Sequence, residues 1–176
     1  MITIQKYVRA QSLEEAWQLN QAKRNRIVGG MLWLRLGRGG IGTAIDLTDL
    51  GLDKIEETGE AFSIGAMTTL RQLEQHEGLN AYCDNAIKNA VKDIVGVQFR
   101  NMATLGGSIW GRFGFSDVLT VFLRFCPAPD RSGRWRCPRR PGSAAATAYR
   151  PRCGCVLLDS AGKPAPDSRP GRISVW

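Results

Sequence analysis

The chain has 176 residues and 43% of them are hydrophobic, so one medium domain or two small lobes can form a buried core. The best candidate for a membrane helix, the apolar run at residues 118–123, is far shorter than the roughly 20 residues that a span needs. The N-terminus lacks the apolar core of a signal peptide. These features predict a cytoplasmic protein with no membrane segment.

The net charge of +8 is confined to the C-terminal part of the chain. Residues 1–123 contain 13 Lys and Arg against 13 Asp and Glu, whereas residues 124–176 contain 11 against 3. All 8 prolines and four of the 5 cysteines also lie after residue 123. This break in composition divides the chain into two parts of different physical character.

The N-terminal residues predict a small α/β lobe. Residues 1–10 alternate and include β-branched side chains, as in a strand, and Ser12 with Glu15 forms a capping box for a helix. Further strands are predicted at residues 26–28 and 43–47.

A second lobe is predicted from residue 53 onward. Its elements are a polar surface turn at 53–60, a strand at 61–67, a helix capped by Thr69 and Gln72, a helix over 80–93, a glycine-rich loop over 95–115, and a helix over 117–123 capped by Ser116. We expect His76 to be exposed within a surface helix and Cys83 to be a small core residue.

Two glycine clusters lie in the stretch "VGGMLWLRLGRGGIG" at residues 28–42. Gly37–Gly42 spells G-x-G-x-x-G, but a dinucleotide fingerprint requires a helix directly after the glycines, and residues 43–47 favour a strand. This cluster is therefore predicted to be a flexible turn. Gly29-Gly30 directly follows an apolar strand, where it can form either a tight turn or an anion nest of backbone N–H groups.

A second Gly-Gly pair, in Thr104-Leu105-Gly106-Gly107-Ser108, favours the anion-binding interpretation of the first. Its flanking hydroxyls and backbone could donate to phosphate or ribityl oxygens. Asp117 lies nine residues beyond Ser108 and could accept hydrogen bonds from sugar-like hydroxyls. Asp117 also suits the start of a helix, where a carboxylate interacts favourably with the helix dipole.

Three segments together, "VGGMLWLRLG", "IGAMTTLRQLE" and "QFRNMATLGGSIWGRFGFSDVLTVFL", resemble the FAD-binding subunit of the molybdenum hydroxylases, the xanthine dehydrogenase and carbon monoxide dehydrogenase family. The resemblance covers about residues 3 to 123. It implies an α/β fold of PCMH type in which two lobes, residues 1–52 and an incomplete lobe over residues 53–123, hold FAD between them.

The resemblance also implies which residues bind the cofactor, and it implies no catalytic side chain in this chain. The backbone of the first loop, residues 26–33, would wrap the FAD pyrophosphate, and residues 104–108 would form a second pyrophosphate contact. Ile94 would line the FAD site, and Asp117 would supply an acidic contact. The implied FAD-binding residues are Arg26, Ile27, Val28, Gly29, Gly30, Met31, Leu32, Trp33, Thr104, Leu105, Gly106, Gly107, Ser108, Ile94 and Asp117.

The chain departs from the family pattern at Met31 and Leu32, where many members have a small polar residue followed by Asp or Ser. Backbone contacts survive this change, but side-chain contacts do not. Covalent attachment of FAD through His is not expected, because His76, the only histidine, is predicted to lie away from both loops. Cys83 alone in this half cannot ligate an iron–sulfur cluster.

In the family, FAD takes electrons from [2Fe–2S] clusters on an iron–sulfur small subunit and passes them to NAD or another acceptor. Hydroxylation takes place on a molybdenum-binding large subunit that carries molybdopterin. The resemblance therefore implies a flavoprotein oxidoreductase subunit with those two partners, and no nucleic-acid partner.

The resemblance stops abruptly after residue 123, where the sequence becomes rich in Arg, Pro, Gly, Ala and Cys without periodicity. We hypothesise a frameshift near codon 123. The tail over residues 124–176 would then be largely irregular, either disordered or out of frame. We also expect the chain to bind FAD more weakly than a full-length relative. Alternative functions for the tail are nucleic-acid binding through its arginines, as a non-enzymatic basic module, and zinc binding. The four cysteines lack paired C-x₂-C spacing; they are Cys126, Cys137, Cys153 and Cys155.

Overall fold

A computed structural model of the chain describes residues 2–59, 61–111, 113–125 and 134–138. The strands are β1 (Ile2–Arg9), β2 (Arg26–Val28), β3 (Gly39–Asp46), β4 (Ile55–Glu57), β5 (Ala61–Gly65) and β6 (Arg134–Pro138). The α-helices are α1 (Leu13–Asn20), α2 (Leu70–Gln75), α3 (Glu77–Tyr82), α4 (Ala86–Val91), α5 (Val97–Met102), α6 (Leu105–Trp110) and α7 (Asp117–Phe125). Within this part of the chain, no helix has the length and apolar character needed to cross a bilayer.

The first lobe is a parallel sheet in the order β1-β3-β2, with α1 in the connection between β1 and β2. The predicted cap of α1 is confirmed, because Ser12 Oγ accepts a hydrogen bond from the N–H of Glu15 at 3.1 Å. The Glu15 carboxylate reaches back to the N–H of Gln11 at 2.7 Å. Ala16 on α1 packs in one buried cluster with Ile45 of β3, which attaches the helix to the sheet.

The second glycine cluster of the sequence belongs mainly to a strand. Gly39–Ile41 pairs with Ile2–Ile4, and β3 then continues to Asp46 without a helix. The exclusion of a dinucleotide fingerprint is therefore confirmed, but the prediction of a turn is wrong for Gly39–Gly42. Pairing with β1 gives these residues backbone hydrogen bonds that outweigh the low strand preference of glycine.

The second lobe contains an antiparallel sheet in the order β4-β5-β6. β4 lies in the polar segment that we predicted to be a turn, and pairing with β5 makes it a strand, because an edge strand tolerates a solvated face. β6 lies in the segment over residues 124–176 that we predicted to be irregular, and it pairs with the other edge of β5.

Within the C-terminal segment over residues 124–176, the structure describes only the end of α7 and β6. α7 continues two residues past its predicted end, to Phe125. Beyond Phe125, the segment lies outside the described residues except for β6. Cys126, Cys153 and Cys155 are among the residues that are not described.

The helix predicted over residues 80–93 is broken into α3 and α4. Asp84 and Asn85, between them, adopt left-handed backbone angles with φ of 51° and 59°. The buried side chain of Asn80 stabilises the break, because its Nδ2 donates to the carbonyl oxygen of Leu73 at 3.0 Å and its Oδ1 accepts from the N–H of Lys88 at 3.0 Å. The predicted burial of Cys83 in the core is confirmed.

Two further predictions are corrected around these helices. His76 lies at the junction of α2 and α3 rather than inside a helix, and it is half-buried, with its ring edge-on to Phe62 at 5.9 Å. The region predicted to be a loop over residues 95–115 contains α5 and α6. Isolated helices of this length are marginal, so packing against the rest of the lobe stabilises them.

A buried ion pair connects α2 to α5. Glu74 Oε2 accepts from Arg100 Nε at 2.8 Å and from Arg71 Nη1 at 3.0 Å, and Arg100 is almost fully buried. Burial alone raises the pKa of Glu74, but the hydrogen bonds from Arg71 and Arg100 outweigh it and hold that pKa below its usual range. Arg100 also donates to the carbonyl oxygen of Ile94 at 3.1 Å, so the ion pair orders the loop before α5.

Glu74→Gln should lower the free energy of unfolding by about 1–3 kcal/mol at neutral pH, because Arg100 would lose its ionised partner. The pKa of Glu74 is lower in the folded than in the unfolded chain. Its stabilising contribution is therefore present above the unfolded pKa of about 4.3 and is lost as the pH falls through the folded value.

Urea unfolding at a series of pH values measures this effect. The variant should lose less stability than the unsubstituted chain between about pH 6 and about pH 3. Glu77→Gln, which changes an exposed carboxylate in the first turn of α3, is the matched control. An acid dependence of Glu74→Gln equal to that of the unsubstituted chain would contradict the interpretation.

Candidate functional site

The two Gly-Gly segments that the sequence singles out contact one another. A Cβ atom added to Gly30 would lie 1.7 Å from the carbonyl oxygen of Met102, and one added to Gly29 would lie 2.6 Å from Thr104 Oγ1. Neither distance leaves room for a side chain. Close packing, rather than an unusual φ angle, favours glycine here: Gly30 lies against the backbone of Met102 and Ala103, and Gly29 lies against the Thr104 side chain.

The loop after β2, residues 29–33, presents a run of uncommitted hydrogen-bond donors. Within the part of the chain that the structure describes, none of these five backbone N–H groups has a protein acceptor. Met31 adopts a left-handed conformation with φ of 57°, and Trp33 a right-handed one with φ of −80°. Successive N–H groups in turns of this kind converge into an anion-binding concavity.

The second Gly-Gly segment differs, because its N–H groups already have acceptors. Those of Leu105 and Gly106 donate to the carbonyl oxygens of Thr68 and Ala66, at 2.8 and 2.7 Å. Gly107 donates to Thr104 Oγ1 at 3.2 Å. This segment therefore lies beside the first loop with its own N–H groups already bonded, and the N–H donors without acceptors belong to the first loop.

The backbone N–H and the side-chain hydroxyl of Ser108 also have acceptors within the protein. Its N–H and its hydroxyl donate to the carbonyl oxygen of Thr104, at 3.0 and 2.9 Å. The hydroxyl of Thr104 accepts from Gly107 and thereby caps α6. The two hydroxyl side chains thus hold the start of this helix in place.

The apolar residues at Met31 and Leu32 anchor the first loop to both lobes. Met31 packs against a first-lobe cluster that contains Val28 and Ile41. Leu32 is buried in the large second-lobe core together with Phe62 and Leu105. Adjacent side chains thus pack against different cores, which holds the loop in its conformation.

The stretch of sequence that contains the first loop is basic. The sequence from Ala16 to Ile45 contains no acidic residue. It contains five basic residues, which are all exposed and are Lys23, Arg24, Arg26, Arg35 and Arg38. None of them forms an ion pair with a described residue. The side chain of Arg26 is held by the carbonyl oxygens of Lys23 and Asn25, at 2.6 and 2.7 Å.

Two predicted site residues are held by contacts within the second lobe. Ile94 packs against the second-lobe core. Asp117 begins α7 and lines a cavity of about 290 Å³ between α4 and α7, opposite Asn89 and Asp93. The structure thus brings the two glycine segments directly together, and it places Ile94 and Asp117 on elements farther along the second lobe.

Sequence reasoning missed several residues beside the first loop. Met102 and Ala103 form the surface that receives Gly30. Phe113 and Phe115 lie with their ring centroids 5.1 and 6.2 Å from that of Trp33. The sequence shows two aromatic residues close together in "RFGF", but it does not show that they lie beside residue 33. Among the described residues, no group of His, Cys, Asp or Glu could hold a metal ion.

Together these observations describe a two-lobed α/β domain in which residues 29–33, a loop with N–H donors that have no acceptor among the described residues, lie between the two cores. A family model described as the FAD-binding domain in molybdopterin dehydrogenase matches residues 2–125, and the chain belongs to this family. FAD is the cofactor of the family. Its pyrophosphate fits the residues present, because the loop offers N–H donors without acceptors among the described residues and two positions without side chains.

Known proteins support the same assignment. The uncharacterised protein YgfM of Escherichia coli K12 is 31% identical over 124 residues, which are 68% of this chain and 46% of YgfM. The carbon monoxide dehydrogenase of Hydrogenophaga pseudoflava matches with a TM-score of 0.64 and 25% identity, over 76% of this chain and 50% of that one. The enzyme of Oligotropha carboxidovorans matches with a TM-score of 0.61 and 25% identity, over 77% and 50%. The chain therefore spans about half the length of these relatives.

Leu32→Ala should lower the free energy of unfolding by about 2–4 kcal/mol, because it empties part of the second-lobe core and frees one anchor of the loop. Leu36→Ala is the matched control, since Leu36 is four residues away and largely exposed. Its effect should stay within about 0.5 kcal/mol. Equal effects in urea unfolding would show that Leu32 does not anchor the loop.

Gly30→Ala should weaken FAD binding at least about tenfold, because the new methyl group would push the loop away from Met102. Gly59→Ala, in the second lobe before β5, is the control, because a Cβ there meets nothing within 4 Å. Titration of each variant with FAD, followed by flavin absorbance, measures the difference. An affinity of Gly30→Ala equal to that of the control would show that the close contact does not shape the binding loop.

Proposed function

We propose that this chain is the FAD-binding part of a molybdenum-hydroxylase-type oxidoreductase and relays electrons from the [2Fe–2S] clusters of a partner subunit, through FAD, to NAD or another acceptor. The observation that carries the proposal is the run of N–H donors at residues 29–33 that have no acceptor among the described residues. These donors lie beside the second Gly-Gly segment, in a stretch of sequence without Asp or Glu. A pyrophosphate supplies the acceptors that these donors lack.

In this proposal the first loop holds the FAD pyrophosphate through its backbone. Thr104–Ser108 forms the wall that keeps the loop in place, and Ile94 and Asp117 contact parts of the cofactor farther from the phosphates. When bound, FAD supplies the capacity to accept and release electrons. The contribution of the chain is to bind and orient the cofactor, and the exposed arginines and lysines near the loop compensate its phosphate charges.

The proposed partners are a molybdenum-binding large subunit that carries molybdopterin and an iron–sulfur small subunit. Their support is the similarity to the carbon monoxide dehydrogenases, one of which is described as lacking the Mo-pyranopterin moiety of its molybdenum cofactor. The two-lobed division at residues 52 and 53 and the intracellular location belong to the same proposal. NAD is the acceptor that we test first.

The full chain should bind FAD saturably, with one FAD per chain. Titration followed by flavin absorbance and fluorescence measures this, and rising salt should weaken binding because charge contributes to it. If the chain shows no saturable binding up to about 1 mM FAD, the proposal fails.

The acceptor can be tested on the same complex. After photoreduction without oxygen, added NAD⁺ should restore the oxidised flavin spectrum at a rate that saturates with NAD⁺ concentration. Free FAD is the control. If the bound flavin is reoxidised no faster than free FAD, NAD is not the acceptor.

A further inference from the structure

An exposed group of three aromatic rings lies beside the anion-binding loop, and we call Trp33, Phe113 and Phe115 the aromatic cluster. Phe113 and Phe115 are stacked with centroids 5.2 Å apart and an angle of 16° between their planes. Trp33 is tilted against both, with centroid distances of 5.1 and 6.2 Å. The cluster therefore joins the first loop to the connection between α6 and α7.

The rings of the cluster are attached to ordered backbone. The N–H of Ser116 donates to the carbonyl oxygen of Phe113 at 2.9 Å, and Ser116 Oγ caps α7 by accepting from Leu119 at 3.2 Å. Trp33 directly precedes a 3₁₀ turn at Leu34–Leu36, whose last N–H donates to the Trp33 carbonyl oxygen at 3.1 Å. The cluster is thus held from both sides.

The exposure of the cluster is not explained by folding. Trp33 is 53% exposed and Phe115 is 69% exposed, although the second-lobe core lies directly beneath the loop at Leu32. Aromatic side chains that serve packing alone are mostly buried, and exposed apolar groups of this kind mark sites that bind something. Stacking onto aromatic side chains is a common way to hold a nucleotide base.

The position of Trp33 decides what the cluster can bind. It is the last residue of the loop with free N–H donors, three residues beyond Gly30. Three residues span at most about 11 Å, and the hydrogen bond from Arg35 to Met31 at 3.0 Å tightens the turn further. A ring connected to the bound phosphate by one sugar or ribityl chain is therefore within reach of the cluster.

We propose that Trp33 and Phe115, whose planes are 55° apart, form a platform for a planar heteroaromatic ring of the dinucleotide whose pyrophosphate the first loop binds, one side chain stacking on the face of that ring and the other contacting its edge. This inference rests on the proposed function and adds the residues that hold the ring. Phe113 supports the platform from behind, because it is less exposed and contacts both other rings. The ring chemistry is shared by the adenine and the isoalloxazine of FAD.

The experiment measures the affinity of the full chain and its variants for FAD, ADP and FMN. Phe115→Ala and Trp33→Ala should each weaken FAD binding about tenfold, whereas Trp33→Phe should retain most of the affinity because it keeps an aromatic face. Tyr7→Ala is the control, since it removes an exposed aromatic side chain from β1. Its affinity for FAD should stay within about twofold of that of the unsubstituted chain.

The shorter ligands show which ring is stacked. If Phe115→Ala weakens ADP and leaves FMN unchanged, the platform holds adenine. If it weakens FMN and leaves ADP unchanged, the platform holds the isoalloxazine, and Trp33→Phe should then raise the fluorescence of the bound flavin. Either result supports the proposal.

Two results would overturn it, and they are distinguishable. If Phe115→Ala and Trp33→Ala bind FAD as tightly as Tyr7→Ala, the platform is wrong while the proposed function stands. If the unsubstituted chain binds none of the three ligands, the proposed function fails and the platform with it. Unfolding curves for each variant identify any loss of folding, which is least expected for the highly exposed Phe115.

Discussion

The site depends on one close contact, in which Gly30 packs against the backbone of Met102 and Ala103 and Gly29 packs against the Thr104 side chain. A Cβ at Gly30 would stand 1.7 Å from a carbonyl oxygen, so any side chain would separate the two segments. The contact places the first loop against the start of α6 and determines which donors remain free. The second segment donates its N–H groups to protein acceptors, whereas those of the first loop have no acceptor among the described residues.

Packing, rather than polar side chains, holds this loop in its conformation. Met31 and Leu32 are adjacent in sequence but enter the cores of different lobes. The left-handed conformation of Met31 is unfavourable for a residue with a side chain, and burial on both sides of it compensates that cost. A loop fixed in this way is pre-organised, so less conformational entropy is lost when an anion binds.

The same arrangement suits the binding of an extended cofactor such as FAD, which is the cofactor of the family. In the proposed function, the backbone of the loop would hold the phosphates and the aromatic cluster would offer a surface for a ring. Each part constrains a different portion of one extended ligand. The Glu74–Arg100 pair orders Ile94, because Arg100 also donates a hydrogen bond to the Ile94 carbonyl oxygen.

The sequence by itself determined the features that local chemistry controls: the caps at Ser12 and Thr69, the short strand at residues 26–28, and the absence of a helix after Gly37–Gly42. It also identified the two Gly-Gly segments and, through the resemblance, the family. Only the tertiary structure decided that Gly39–Gly42 is a strand, that α3 and α4 are separate, that residues 97–110 are mostly helical, and that Phe115 lies beside Trp33. Pairing and packing between distant segments outweigh weak local preferences at these positions, and a single sequence does not show which distant segments meet.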